Sequence, residues 1–110
     1  MRDVKTRARF YVDQSIQADY CMIVNDDSMK DAGIYSGDVA FLQKDFELKD
    51  GKIYAVLSED DEIAVLKEIY HVNKDNVILM PCTYEFAPII TSLDNLIIIG
   101  QLIGVYHRID

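Results

Sequence analysis

Two short stretches of the chain carry residue types able to do covalent chemistry. The first is Asn25-Asp26-Asp27-Ser28-Met29-Lys30-Asp31, which follows the apolar run Tyr20 to Val24 and sets a hydroxyl at a strand end. Ser and Asp side chains bond nearby backbone groups in turns, so by itself Ser28 reads as a turn serine. The second is Glu62 to Tyr70, EIAVLKEIY. With a strand period of two, Ile63, Val65, Lys67 and Ile69 share one face, and Ala64, Leu66, Glu68 and Tyr70 share the other. Lys67 then stands among β-branched apolar residues, where it either snorkels out at a sheet edge or is partly desolvated. Desolvation disfavours the ammonium and lowers its pKa, which makes a lysine a base near neutral pH. Each residue alone favours the structural reading. Together they are the two parts of a Ser–Lys dyad, in which a neutral amine takes the hydroxyl proton and later passes it to the leaving amine.

The elements that must position this pair are strands. Tyr20 to Val24, Asp38 to Gln43, Lys52 to Leu57, Glu62 to Tyr70, Asn76 to Met80 and Leu96 to Val105 are apolar runs rich in Val, Ile and Tyr. The clusters YSGD, LKDGK, SEDDE, NKDN and TSLDN separate them as turns. The spacing predicts a mostly β, antiparallel domain with little helix and no helix-turn-helix. Ser58 to Glu62 lacks the spaced oxygen ligands and the glycine of a calcium loop, and reads as a solvated hairpin turn. His71 and His107 are lone histidines at strand ends, with no Asp or Cys constellation around them, and are assigned no chemistry. Cys21 and Cys82 lack metal-ligand spacing and read as thiols in a reducing compartment. No metal and no cofactor is expected.

Composition narrows the function classes. A chain of 110 residues encloses one core, and half of its residues are hydrophobic. No run reaches the roughly 18 apolar residues of a membrane helix, and the charged N-terminus is not a secretory signal. A soluble, cytoplasmic domain without a membrane partner is expected. With 11 Lys+Arg against 19 Asp+Glu, the net charge of -8 repels phosphate backbones, so this chain is not expected to bind nucleic acid itself. The basic cluster Lys5, Arg7 and Arg9 reads as part of a linker.

Four ordered blocks are similar to one family: Val24 to Asp38 (VNDDSMKDAGIYSGD), Val65 to Ile69, Leu79 to Ile89 (LMPCTYEFAPI) and Ile97 to Val105. They resemble the C-terminal domain of the LexA-type repressors, in the self-cleaving S24 peptidase group that also holds phage CI-like repressors and UmuD. The resemblance runs from about Tyr11 onward. It implies a mostly antiparallel β fold. It also implies Ser28 as nucleophile, Lys67 as general base, and the backbone N–H groups of Asp27 and Ser28 as oxyanion-hole donors. Met29, Gly37 and Asp38 match structural positions of the motif. Residues 1–12 are read as a linker remnant following the cleavage region, and residues 13–110 as the self-cleavage and dimerisation domain.

In that family the domain cuts its own chain at an Ala-Gly or Cys-Gly bond N-terminal to the serine. A RecA–single-stranded DNA filament favours the cleavable conformation after DNA damage. The resemblance also implies a homodimer, here assigned to Leu96–Tyr106, and DNA contact only through an N-terminal domain. No Ala-Gly or Cys-Gly precedes Ser28, and Ala32-Gly33 follows it and reads as structural. The simplest expectation is a fragment beginning just after the cleavage region. Three positions depart from the family: Asp26 stands where Gly is usual, Thr83 where Asn is common, and Glu68 where Arg is frequent. Two alternatives share the pattern, a UmuD-like accessory protein of translesion synthesis and a phage repressor domain that only dimerises. A type I signal peptidase also uses Ser-Met and Lys elements but needs a membrane anchor.

Overall fold

The computed structural model describes residues 4–6, 10–11, 17–58 and 63–107. Ten strands form there. In chain order they are β1 (Val4–Thr6), β2 (Phe10–Tyr11), β3 (Gln17–Ala18), β4 (Tyr20–Ile23), β5 (Val39–Gln43), β6 (Ile53–Ser58), β7 (Val65–His71), β8 (Asn76–Met80), β9 (Ile89–Ser92) and β10 (Leu96–Tyr106). Eight of them make one sheet in the order β1-β4-β5-β10-β6-β7-β8-β9, and β2 pairs with β3. Every pairing is antiparallel. Among the described residues the only helical pieces are two 3-10 turns, Lys30–Ala32 and Leu93–Asn95. The expected mostly β, antiparallel class is therefore the observed one.

Apolar residues on both faces of the sheet explain why β6 and β7 read as nearly continuous hydrophobic runs. One face of β6 and β7 sends Ile53, Ala55 and Leu66 into a core with Met22, Met29, Ile34 and Leu42. The other sends Tyr54, Val56, Val65 and Ile69 into a second core with Val77 and Leu79. A fully buried side chain of this size contributes about 1.5–3 kcal/mol. The Tyr54 hydroxyl, carried into the second core, accepts from the Lys49 N–H at 2.8 Å and donates to the Glu47 carbonyl at 3.0 Å. That satisfies the one polar atom of a buried ring and fixes the approach to β6.

The long strand β10 lies between β5 and β6, and its register slips once against each neighbour. Such irregularities sharpen twist and bend a strand. At Gly100 the bend brings the backbone of β5 so close that a Cβ would stand 2.9 Å from the Gln43 carbonyl oxygen. Glycine is required there by contact, not by dihedral angle.

Several expectations shift. The strand holding Lys67 starts at Val65, and Ile63 lies outside it and is exposed. An additional strand, β9, occupies the start of the TSLDN segment, and the 3-10 turn follows it. Of the SEDDE turn, residues 59–62 lie outside the described residues. The two histidines do have aspartate partners. His71 Nδ1 lies 2.7 Å from Asp50 and His107 Nδ1 lies 2.7 Å from Asp38. Those partners are remote in sequence, so no local pattern announced them.

Candidate active site

Ser28 lies on the loop between β4 and β5. Its neck is closed by two backbone bonds, Val24 N–H to the Asp38 carbonyl at 2.9 Å and Gly37 N–H to the Val24 carbonyl at 2.8 Å. Gly37 is the third residue of a turn closed by the Asp38 N–H to the Tyr35 carbonyl, and its φ of 94° is the value that a type II turn needs there. Asp38, buried, accepts the Tyr35 N–H at 2.8 Å on its other oxygen and so caps the same turn. Met29 and Ile34 plug the loop into the first core. Asp27 spans it by accepting the Ser36 N–H at 3.0 Å. Ala32 ends the 3-10 turn and Gly33 follows it with φ 81°, so this Ala-Gly pair has the structural role expected of it.

The connection from β8 to β9 clamps the loop from the other side. The Cys82 N–H donates to the Ser28 carbonyl at 2.7 Å, and the Asp31 N–H donates to the Cys82 carbonyl at 2.9 Å. An exposed ion pair between Lys30 and Glu85 joins the same two segments.

Lys67 comes from β7, opposite Tyr54 and in line with Val65 and Ile69, as strand alternation requires. In a flat sheet, the four strand spacings from β4 to β7 would separate them by about 19 Å. The curl of the sheet and the fold of the loop remove that distance. Lys67 Nζ lies 2.7 Å from Ser28 Oγ, and both residues are buried. The Phe86 ring centroid is 5.7 Å from the amine and adds to its cover.

Burial pulls the Lys67 amine below the ordinary lysine value of 10.5, and the nearby Asp26 carboxylate opposes that pull. Negative charge at Cys82 would oppose it too. However, burial and a hydrogen bond with Glu68 push the thiol up to about 11, so it stays neutral at ordinary pH. Glu68 accepts from the Cys82 thiol at 3.0 Å and from the Tyr70 hydroxyl at 2.9 Å.

Asp26 makes a local contact that the sequence pattern alone did not assign. Asp26 Oδ1 lies 2.7 Å from Ser28 Oγ and 3.0 Å from the Ser28 backbone nitrogen. A carboxylate can only accept, so Ser28 donates both its O–H and its N–H to this one oxygen. Its signal in the sequence was a carboxylate where the family carries Gly. Of the two expected oxyanion donors, the Ser28 N–H is thus already engaged, and the Asp27 N–H has no acceptor among the described residues.

A curled antiparallel domain that buries a serine and a lysine side by side is the class defined by this fold and geometry. The chain belongs to the Peptidase S24-like family, whose family model matches residues 3–103. It is 36% identical over 89 residues to the LexA repressor of Clostridium acetobutylicum, covering 81% of this chain and 41% of that protein. It is 34% identical over 90 residues to the LexA repressor of Shouchella clausii, covering 82% and 41%. With the LexA repressor of Thermosipho melanesiensis it shares 35% over 86 residues, covering 78% and 42%. The chain therefore spans about two fifths of the length of these relatives. Among the described residues, no helix is long and apolar enough to cross a membrane.

Proposed function

We propose that this chain is the self-cleavage and dimerisation domain of a LexA- or CI-like repressor, acting in the cytoplasm. Ser28 is the nucleophile and Lys67 its general base. The observation that carries this reading is the 2.7 Å contact between Ser28 Oγ and a buried, pKa-lowered lysine amine.

The chemistry is acyl transfer. Neutral Lys67 takes the Ser28 hydroxyl proton as Oγ attacks the scissile carbonyl, and the charge on the carbonyl oxygen is held by the N–H groups of Asp27 and Ser28. Collapse breaks the C–N bond, and the Lys67 ammonium gives its proton to the leaving amine. Water activated by Lys67 then hydrolyses the ester. The substrate is the protein's own chain, N-terminal to this domain. The signal is DNA damage, sensed through a RecA–single-stranded DNA filament.

Dimerisation is assigned to Leu96–Tyr106. This strand has neighbours on both sides, so a partner would meet one of its faces and not its edge; Ile97 and Tyr106, exposed on opposite faces, are the candidate contacts. Cleavage would separate this domain from a DNA-binding domain and lower operator affinity, because two half-sites are no longer held together.

The test uses the full-length protein at mildly alkaline pH, with and without an activated filament. Mass spectrometry should find two fragments in the parent, formed faster with the filament. Neither Ser28→Ala nor Lys67→Ala should yield them. Cleavage that persists in either variant would refute the assignment.

A further inference from the structure

We propose that Asp26 is a built-in brake on the Ser28–Lys67 pair, its carboxylate holding the place that the scissile carbonyl oxygen must take. The inference rests on the reading of Ser28 as nucleophile and Lys67 as base, and adds a regulatory residue to it.

Three observations carry it. Oδ1 of Asp26 receives the Ser28 N–H at 3.0 Å, within the distance at which an oxyanion-hole donor holds its oxygen. A substrate oxygen cannot share that position. The same Oδ1 receives the Ser28 O–H at 2.7 Å, so the proton that Lys67 must remove points at Asp26. Ser28 Oγ in turn accepts from Lys67 Nζ, which leaves the amine donating where catalysis needs it to accept. Finally, Ser28 has no exposed surface while Asp26 is half-exposed, so the carboxylate is one of the groups that must move before a peptide reaches the hydroxyl.

The resting pair is therefore assembled but latched. Release requires the Asp26 side chain to swing away, after which the Ser28 hydroxyl turns to Lys67 and its N–H becomes free. The negative charge of Asp26 acts in the same direction by favouring the ammonium form of Lys67. The other groups facing that amine are the Cys82 thiol, which is neutral, and the uncharged Phe86 ring.

The test measures self-cleavage of the full-length protein over a pH series without a filament. The parent is compared with Asp26→Gly, Asp26→Asn and Ser28→Ala. Releasing two hydrogen bonds to a charged acceptor should raise the Asp26→Gly rate about tenfold or more near neutral pH. Asp26→Asn, which keeps the shape but not the charge, should rise less. In both, the midpoint of the rate profile should move to lower pH, an effect that a merely structural residue would not produce. Thermal unfolding shows whether the Gly variant is folded, and the Asn variant supplies the answer if it is not. Rates at or below the parent in folded Asp26 variants, with Ser28→Ala inactive, would overturn the brake alone. Cleavage in Ser28→Ala would overturn the nucleophile reading beneath it.

Discussion

Replacing Lys67 by Met separates the chemistry of this residue from its packing. The lysine stem lies in the row of Val65 and Ile69, opposite the buried ring of Tyr54. Met keeps the bulk of that stem and removes only the amine. One hydrogen bond to Ser28 disappears, a loss of about 1 kcal/mol, but so does the penalty of burying an amine. Ser28 still donates to Asp26, so no buried hydroxyl is left without a partner. Lys67→Met should therefore unfold within about 1 kcal/mol of the parent near neutral pH. Lys67→Ala deletes three buried methylenes at about 0.8 kcal/mol each and leaves a cavity, so it should lose about 2–3 kcal/mol. Both should lose self-cleavage, by about 10²–10⁴-fold from general-base catalysis alone. Urea denaturation followed by fluorescence measures the first pair of values, and fragment yield by mass spectrometry measures the second. The stability difference also has a pH signature. Because the folded-state pKa of Lys67 is lowered, the unfolded chain binds more protons between that value and 10.5. The parent should gain stability as pH rises through this window, and Lys67→Met should lack that gain. A Met variant that cleaves like the parent, or that is as unstable as the Ala variant, would refute this account of Lys67.

Two further outcomes follow from the same geometry. Self-cleavage without a filament should accelerate with pH as Lys67 loses its proton, with a midpoint below 10.5; a midpoint at or above that value would mean that burial does not tune the amine. Gly100→Ala should destabilise the domain by about 1–3 kcal/mol, because its Cβ meets the Gln43 carbonyl oxygen at 2.9 Å. An unchanged urea midpoint would show that β10 and β5 can move apart freely.

What the sequence makes legible depends on the range of the interaction. Strands such as Asn76–Met80 follow from local apolar runs between turn residues, and their bounds agree with the structure. β9 escaped because Ile89 and Ile90 are exposed on an edge strand that follows Pro88, so neither alternation nor burial marks it. Lys67 was visible because strand alternation is a local rule, and its apolar neighbours Val65 and Ile69 do share its side of β7. Ser28 was not visible alone, since its loop resembles any polar turn. Only its combination with Lys67 and the order of the blocks separated it from one. The clamp by Cys82 and the aspartate partners of both histidines depend on tertiary contact between residues far apart in the chain. No periodicity encodes such contacts.

Ser28 and Lys67, as proposed, work as one unit. Residues that do so have strongly non-additive effects. The decisive measurement is the self-cleavage rate of the full-length protein carrying Ser28→Ala, Lys67→Met or both, beside the parent at one mildly alkaline pH. Each single variant should fall to the uncatalysed baseline, and the double variant should fall no further. Losses that add, or a single variant that keeps the parental rate, would contradict it.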